Sequence, residues 1–282
     1  MKKEAKGYLN VILAQIIFSF MYIFVRFVES FGTYNLSFWR VFLSAAFLFV
    51  FSLLYRRYKI ISPKYERGKL LFFGAIHGFI ILASFLSIYY LSLASAMFLQ
   101  ATLSIWMAVF SYFILKEKID ARVVIALLIS FIGLAVLLSP FNLLAEKSII
   151  GICSALFVGI FGGLVYVISK TFKKYDPLSL TFWQNLIAVP FLLPLLFIQK
   201  PVLGLFNISF VAIIALCGAF GFLFMFFGLK LGKGSYAGVL TLINFVLVIL
   251  LGIVFFNEIP SLREIIGGCF ILVGVYLVLT KK

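Results

Sequence analysis

Polar side chains recur at helical spacing inside strongly apolar stretches of this chain of 282 residues. Gln15, Ser19 and Tyr22 follow one another at intervals of four and three residues, so in a helix they share one face. Gln100 begins a second polar row further along the chain. Because a polar group that faces lipid is costly and usually turns inward, the first row favours the wall of a cavity for a small molecule. Contact between packed helices is the alternative.

Other polar or aromatic residues within the apolar stretches are further candidates for contact with a substrate. His77, the only histidine, could relay protons because an imidazole titrates near neutral pH, or it could bond to a neighbouring helix. Asn244 could contact the substrate or another helix, and Trp106 could stack on an aromatic or cationic ligand or pack in the core. The predicted substrate-binding residues are Gln15, Ser19, Tyr22, His77, Ser84, Gln100, Trp106, Tyr166 and Asn244.

Arg40 is a charged residue placed within an apolar stretch, about one turn from its start. It could snorkel to the membrane surface, close a gate by bonding carbonyl groups at a helix end, or attract a substrate carboxylate. We assign it a structural or gating role, together with its neighbour Trp39. Trp183 and Gln184 occupy the same places in a second copy of this motif and are assigned the same role.

Acidic residues are absent from the centres of the apolar stretches. All nine Asp and Glu residues lie in or beside the gaps between these stretches. A carboxylate that exchanges a proton for a cationic drug is therefore missing, which disfavours strong cations as substrates. The aromatic residues, 18% of the chain, keep cation–π attraction available. A cavity of arginine, amides, hydroxyls and rings favours a neutral or zwitterionic metabolite.

The sequence contains no pattern for a metal, a cofactor or a nucleotide. Cys153, Cys217 and Cys269 are scattered through apolar stretches at no metal-ligand spacing, so we interpret them as core residues. A Walker loop and a dinucleotide-binding glycine motif are absent. A membrane-embedded enzyme would require a catalytic cluster at one depth, and no such cluster is present. We therefore expect no cofactor, no metal ion and no enzymatic activity.

Ten apolar segments must position these side chains. The chain is 65% hydrophobic and only 12% charged, far outside the range of soluble proteins. Each segment has about 18–22 residues, enough for a helix to cross the ~30 Å of bilayer hydrocarbon. The segments are predicted at 8–26, 36–55, 70–91, 95–115, 121–138, 149–169, 179–198, 208–229, 235–256 and 262–279.

The segments form two copies of one unit. Residues 36–40 (LSFWR) return 144 residues later as residues 180–184 (LTFWQ), and from residue 96 onward the offset is 141. Because each copy holds five helices, an odd number, the second copy must cross the membrane upside down. We predict an all-α integral membrane protein of ten transmembrane helices in two inverted five-helix repeats, residues 1–141 and 142–282.

Basic residues gather in alternate gaps between the segments. With the N-terminus in the cytoplasm, most of the 24 Lys and Arg residues fall in cytoplasmic segments, which is a strong topology signal. We therefore predict a multi-pass protein of the cell (inner) membrane with both termini in the cytoplasm. The net charge of +15 is spread over several turns and forms no single patch, so we expect no nucleic-acid partner.

Motifs in both copies resemble the drug/metabolite transporter superfamily, in its EamA branch of ten-helix carriers with two repeats. Residues 24–26 (FVR) and 37–40 (SFWR) carry the resemblance in the first copy, and residues 166–170 (YVISK) and 176–184 (DPLSLTFWQ) carry it in the second. Each copy also has a glutamate after its fourth helix and a glycine within its fifth, namely Glu117 with Gly133 and Glu258 with Gly274. The proline common in the fourth helix of each family repeat is absent here, which leaves a kink there undecided.

The resemblance implies a carrier of small polar or amphipathic metabolites, a group that includes amino-acid exporters with an aromatic-lined central cavity. We predict a secondary transporter that needs no ATP and exports an amino acid or similar metabolite by alternating access. A lipid or lipid-headgroup translocase of the same fold and a multidrug exporter are the alternatives, and the paired repeat disfavours a channel. The expected partners are a small-molecule substrate and the lipid bilayer, and the chain is expected to be a monomer or homodimer.

Overall fold

A computed structural model describes residues 3–54, 60–91, 93–138, 148–202, 204–257, 259 and 261–280. Within these residues the regular secondary structure is helical, with no β-strand. The predicted boundary between the two copies, at residues 141 and 142, lies outside the described residues, as does Glu258 of the repeated glutamate motif.

Six helices form each half of the described chain. The first half contains α1 (Lys3–Val25), α2 (Thr33–Leu54), α3 (Arg67–Tyr90), α4 (Leu93–Gln100), α5 (Leu103–Leu115) and α6 (Ala121–Leu138). The second half contains α7 (Ile149–Ser169), α8 (Pro177–Leu192), α9 (Leu205–Leu231), α10 (Gly234–Thr241), α11 (Ile243–Phe256) and α12 (Leu262–Leu279). Short 3-10 turns follow α1 and α8, at Glu29–Phe31 and Leu193–Phe197.

These helices make ten crossings of a membrane. Among the described residues, nine spans are long and apolar enough to cross a bilayer, and α4 with α5 and α10 with α11 each belong to a single span. The 18-residue helix α6 supplies the tenth. The prediction of an all-α membrane fold with ten transmembrane helices is confirmed, and the helix bounds differ from the predicted segments by only a few residues.

Several helices begin where the sequence provides a cap. Ser148 caps α7 and Asp176 caps α8, and each side chain accepts a hydrogen bond from the amide three residues ahead, at 3.2 and 2.6 Å. Ser261 and Glu264 form a reciprocal capping box at the start of α12. These side chains satisfy amides that lack partners at the first turn of a helix, and so they help to define where each span enters the membrane.

The packing between helices repeats itself in the two halves. α1 packs along α9, and its counterpart α7 packs along α3. α2 contacts both α8 and α9, while α8 contacts both α2 and α3. The first helix of each half therefore lies against the third helix of the other half. Two inverted repeats that face each other produce this exchange, and it places the interior of the bundle at their junction.

α6 and α12 form a close antiparallel pair. A Cβ atom on Gly133 would lie 2.6 Å from the carbonyl oxygen of Gly267, and one on Gly274 would lie 2.7 Å from the carbonyl oxygen of Ala126. Glycines at these positions allow the two backbones to approach, as small residues do in membrane helix pairs. Because α6 begins at the end of the bundle where α1 begins, this antiparallel contact returns the end of α12 to that same face.

The fourth and ninth spans are interrupted, although neither contains a proline. The break between α4 and α5 lies around Ala101, and the break between α10 and α11 lies at Leu242, 141 residues later. The Ser104 hydroxyl donates to the Ala101 carbonyl at 2.8 Å, and the Thr241 hydroxyl donates to the Gly238 carbonyl at 2.7 Å. Such side-chain bonds to the preceding turn bend helices, and they provide a kink that the sequence left undecided.

Candidate functional site

A cavity of about 130 Å³ lies at the junction of the two halves. Helices α1 to α5 line one part of it, and α7, α9, α10 and α11 line the rest. Both helix interruptions border the cavity, through Ala101 on one side and Thr241 on the other. Eight residues of the predicted site line it: Gln15, Tyr22, Arg40, His77, Ser84, Gln100, Tyr166 and Asn244.

Gln100 is the centre of a polar network in the first half. The hydroxyl groups of Tyr22 and Ser84 donate to its Oε1 atom at 3.3 and 3.4 Å. Its Nε2 atom donates to the Ser87 hydroxyl at 2.8 Å. These bonds connect α1, α3 and α4 on one side of the cavity. Gln100 is therefore held in a fixed orientation by other side chains, as a group that orients a ligand must be.

Asn244 connects the two halves on another side of the cavity. Its Nδ2 atom on α11 donates to the main-chain oxygen of Gln15 on α1 at 3.1 Å. The Gln15 side chain makes a weaker contact with the Met225 sulfur at 3.9 Å. Asn244 thus makes an interhelical hydrogen bond and also lines the cavity. The two roles considered for it from the sequence are compatible in this geometry.

Arg40 brings a positive charge to the lining from α2. The residue is 1% exposed, and its Nε and Nη1 atoms have no hydrogen-bond partner among the described residues. Its guanidinium carbon lies 5.5 Å from the centre of the Phe222 ring. No Asp or Glu is found in the described lining of the cavity. The guanidinium is a buried cation without a carboxylate beside it in this part of the protein.

His77 on α3 contacts Gln184 on α8. Their Nε2 atoms are 3.3 Å apart, so the amide can donate to the imidazole when that ring nitrogen carries no proton. The edge of the imidazole meets the Phe222 ring, with centroids 4.8 Å apart. Gln184 does not line the described cavity but contacts His77, which does. Its predicted gating role stays a prediction.

Aromatic rings form much of the apolar wall. Phe18, Tyr166, Phe222 and Phe245 all line the cavity. Phe222 lies at the middle of this group, because its ring centroid is 5.1 Å from that of Phe18 and 5.9 Å from that of Tyr166. Ligand sites commonly combine such a wall with a few polar groups that set the orientation of the ligand. This arrangement suits a small compound with an apolar or aromatic part.

Comparison with known families accounts for this architecture. The sequence profile described as the EamA-like transporter family matches residues 5–139 and 149–280. The chain belongs to the EamA-like transporter family. This family consists of membrane transporters and not of enzymes, which agrees with the predicted family and with the predicted multi-pass membrane protein.

Three curated relatives of this EamA-like transporter each carry the name uncharacterized transporter. The one from Clostridium kluyveri is 26% identical over 197 residues, which cover 66% of this chain and 63% of the relative. One from Archaeoglobus fulgidus is 30% identical over 165 residues, covering 58% of this chain and 59% of the relative. A second from that organism is 25% identical over 198 residues, covering 68% and 70%. The chain spans less than two thirds of the length of the first two relatives.

A crystal structure described as "Crystal structure of protein" has the same fold as this EamA-like transporter. The two chains superpose with a TM-score of 0.82, and the match covers 97% of this chain and 98% of the other. Only 17% of the aligned residues are identical. The likeness therefore concerns the fold alone.

Ser19 and Trp106 are predicted to bind substrate, but neither lines the cavity. The Ser19 hydroxyl donates to the Ile16 carbonyl of its own helix at 2.7 Å. A Cβ atom on Gly163 would lie 2.8 Å from the Cβ of Trp106, whose ring stacks with Phe110 at 5.6 Å. Because the glycine brings α7 close to α5, Trp106 packs at that helix contact.

Trp39 and Trp183 are predicted as gating residues, and both lie outside the cavity lining. The Trp183 Nε1 atom donates to the Ile61 carbonyl at 2.8 Å, which ties α8 to the loop before α3. The Trp39 ring packs edge-to-face against Phe38 and Phe42, with centroids 5.5 and 5.7 Å apart. The Trp183 bond holds α8 against the loop, whereas the ring contacts of Trp39 lie within α2 itself. The gating role of both residues stays a prediction.

Sequence reasoning missed several residues of the lining. Thr241 lies three residues before Asn244 on the interrupted ninth span, and this spacing was a signal that could have identified it. Phe222, Phe245 and Met21 also line the cavity. Their types do not distinguish them from the many apolar residues that face lipid, so no local pattern could have selected them.

A second polar group, the Glu117 cluster, was not predicted as a unit and lies at the end of the bundle at which α1 begins, where Gly232 approaches Gly7. The cluster consists of Glu117, Lys170, Gly232 and Gly234. The Glu117 carboxylate accepts hydrogen bonds from the Lys170 ammonium at 2.5 Å and from the Gly234 amide at 2.9 Å. Lys170 also donates to the Gly232 carbonyl at 2.7 Å. The cluster joins the ends of α5 and α7 to the turn between α9 and α10.

Proposed function

We propose that this EamA-like transporter is a secondary carrier that exports a small neutral or zwitterionic metabolite by alternating access. The support is the cavity that lies between the inverted halves and is lined by both of them. Inverted repeats can exchange conformations, so that a shared site opens first to one side of the membrane and then to the other. The resemblance to amino-acid exporters supports export as the direction.

The observation that carries the choice of substrate is the buried Arg40 guanidinium in a described lining without Asp or Glu. A cationic drug would meet a like charge there and no carboxylate to neutralise it. Amide and hydroxyl groups from Gln100, Ser84 and Asn244 add hydrogen-bonding capacity. The combination favours a metabolite with a carboxylate that can pair with Arg40, as in a zwitterionic amino acid, over a multidrug substrate.

We place the protein in the cell (inner) membrane with both termini in the cytoplasm. The support is the basic character of the face where α1 begins and α12 ends. Lys69, Lys116, Lys170, Lys173 and Lys230 all lie at helix ends or turns on this face. Such enrichment is typical of the cytoplasmic side of membrane proteins.

Counterflow in proteoliposomes tests the carrier function. Liposomes that contain the purified protein are loaded with a panel of unlabelled amino acids and related metabolites, and the entry of each labelled compound is followed. A carrier gives saturable, transient accumulation above the outside concentration. Flux that rises linearly with concentration would identify a channel, and movement of lipid that depends on its headgroup would identify a translocase. Absence of saturable counterflow for every solute would overturn the proposal.

A variant of the cavity wall links that transport to the described site. Tyr22→Ala removes a lining side chain that bonds to Gln100, so we expect transport to fall at least about tenfold. Tyr112→Ala removes an exposed tyrosine on α5 that does not line the cavity, and it serves as the matched control. Protein in the membrane is quantified for both variants. Equal transport by the two variants would show that Tyr22 does not contact the substrate during transport.

A further inference from the structure

We infer that Arg40 anchors a carboxylate of the transported compound, so that the substrate is a small carboxylic acid with an apolar or aromatic body. This inference rests on the proposed function, because it assigns the chemistry of the same cavity. It replaces the gating role predicted for Arg40 from the sequence with direct contact between its guanidinium and the substrate.

The first argument is that the charge is buried and unmatched. Arg40 is 1% exposed, so it does not reach the membrane surface as a snorkelling arginine would. A gating residue would bond carbonyl or carboxylate groups of the helices that it closes. Nε and Nη1 of Arg40 make no such bond within the described residues. An ionised side chain inside a membrane protein is costly and commonly pairs with a substrate or an ion.

The second argument is that the protein leaves space for the guanidinium beside the cavity. A Cβ atom on Gly218 of α9 would lie 2.9 Å from Nη2 and 3.0 Å from Nε of Arg40. One turn further along α9, the Phe222 ring centre lies 5.5 Å from the guanidinium carbon. A side chain at position 218 would therefore collide with the guanidinium, and the glycine leaves room for it. The guanidinium is packed between these uncharged neighbours, and Arg40 also lines the cavity. A planar guanidinium with free N–H donors matches the two oxygens of a carboxylate.

The third argument comes from the hydroxyl groups of the two equivalent tyrosines. The Tyr22 hydroxyl is used within the protein, because it donates to Gln100. The Tyr166 hydroxyl makes no hydrogen bond to any residue that the structure describes, and Tyr166 lines the same cavity as Arg40. Tyr166 therefore offers a second unused donor to an anionic ligand. No carboxylate of the described lining offers the matching site for a substrate ammonium.

The remaining lining defines the rest of the compound. Phe18, Phe222 and Phe245 give the cavity an apolar wall close to the charged group. A cavity of about 130 Å³ limits the ligand to the size of a small metabolite. A carboxylate on Arg40 with its apolar body against these rings satisfies both parts of the site. The amino group of a zwitterionic substrate is accommodated by amide oxygens and aromatic faces.

Paired acids and amides test the inference on purified wild-type protein in detergent. The probes are acetate with acetamide, phenylacetate with phenylacetamide, and phenylalanine with phenylalaninamide, and binding is measured as the rise in melting temperature with ligand concentration. We expect phenylacetate and phenylalanine to bind at least about tenfold more tightly than their amides, because only the acids carry the anionic group. If no acid binds more tightly than its amide, the inference is overturned.

Variants of Arg40 assign the preference to this residue. Arg40→Met should abolish the advantage of acid over amide, and Arg122→Met, at an exposed arginine on α6, should keep it. An acid preference that persists in Arg40→Met overturns the inference. If Arg40→Met does not fold, Arg40→Lys is measured in its place. Lysine keeps the positive charge but lacks the planar guanidinium, so acid binding should weaken at least about threefold. Unchanged binding in Arg40→Lys overturns the inference.

Failure of this inference is distinguishable from failure of the carrier function. Saturable counterflow without any preference for acids would support the carrier function and contradict only the role of Arg40 as a carboxylate anchor. Absence of counterflow for every solute would instead overturn the carrier function, whatever binds in detergent.

Discussion

Arg40 of the first half packs against Gly218 of the second half. The equivalent contact on the other side of the repeat is the one between Gln184 and His77. The offset of 144 residues relates Arg40 to Gln184, and the offset of 141 relates Gly218 to His77. Each contact joins the second helix of one half to the third helix of the other. Between α2 and α9 it holds a guanidinium beside a glycine, and between α8 and α3 it holds an amide beside an imidazole. The two halves share a backbone arrangement but give the cavity a positive charge on one side only.

Gly218→Ala should displace the Arg40 guanidinium without unfolding the protein. The added Cβ would lie 2.9 Å from Nη2, and the flexible end of the arginine must then shift. We expect the affinity for phenylacetate to fall about three- to tenfold, which corresponds to about 1 kcal/mol. The measurement is the ligand-dependent rise in melting temperature.

Gly268→Ala provides the matched control for that variant. An added Cβ on Gly268 of α12 finds its nearest neighbour, Val246, at 3.9 Å, which is ordinary van der Waals contact. Affinity should therefore be unchanged. Equal losses in the two variants would show that the effect comes from substituting a helix glycine and not from the position of Arg40.

Glu117→Gln should weaken the contacts between helices at the end of the bundle where the Glu117 cluster lies. The variant keeps an acceptor for the Gly234 amide but removes the charge that binds Lys170, in a pair whose side chains are only 14% and 16% exposed. Loss of a charge-assisted hydrogen bond costs about 1–3 kcal/mol, so we expect more molecules to be open at this end. Labelling of Ala101→Cys in the cavity by a membrane-impermeant maleimide should become several-fold faster from that side.

Glu66→Gln is the control for the loss of a carboxylate at the same end. Glu66 pairs with Lys69 at 3.3 Å, but these side chains are 41% and 34% exposed, and such surface pairs contribute little to stability. The labelling rate should therefore stay at the parent value. Equal labelling rates in Glu117→Gln and Glu66→Gln would show that the Glu117 cluster does not control opening of the cavity.

His77→Leu and His77→Gln should differ in stability because of the contact with Gln184. Leucine leaves the buried Gln184 amide without its partner, which costs about 1–3 kcal/mol, whereas glutamine can still bond to it. We expect a lower melting temperature for His77→Leu than for His77→Gln. Any response of transport to an imposed pH gradient in the parent protein should persist in His77→Gln. Loss of that response in a well-expressed protein would instead assign His77 to a proton relay.

The charge of Arg40 also predicts that exchange of substrate is faster than net release. An empty carrier must pass through its closed state with an unmatched buried cation, whereas a bound carboxylate neutralises that cation. We expect phenylacetate on the far side of the membrane to speed the release of labelled phenylacetate at least about fivefold. Phenylacetamide on the far side is the control. Equal release rates with acid, amide or buffer would contradict this expectation.

Much of the fold followed from local properties of the chain. The apolar segments at 121–138, 149–169 and 262–279 coincide with α6, α7 and α12, because a run of about 18 apolar residues has few options other than a helix that spans lipid. The inversion of the halves followed from the odd number of helices in each copy. The polar residues Gln15 and Gln100 were expected to turn inward, and both are buried.

Contacts between distant segments could not be predicted in the same way. The contact of Gln184 with His77, 107 residues away in the chain, could not be predicted, and the gating role of Gln184 stays a prediction. The packing of Trp106 against α7, where Gly163 allows that helix to approach, could not be predicted either, and its contact with substrate stays a prediction. These outcomes depend on which helix faces which and on how closely two backbones approach, and neither is a property of a single segment.

The sequence by itself determined the number of crossings, their inverted duplication and the small set of polar side chains that lipid would not tolerate. Hydrophobic length and the cost of exposing a polar group to hydrocarbon act on each segment separately, so these features could be derived from local composition. Only the tertiary structure decided that Arg40 lies beside Gly218 with its Nε and Nη1 atoms unbonded among the described residues, and that Phe222 faces the cavity and not lipid. It also decided that the interruptions at Ala101 and Leu242 border the same space. These features arise from the packing of one half against the other, which brings together residues more than a hundred positions apart.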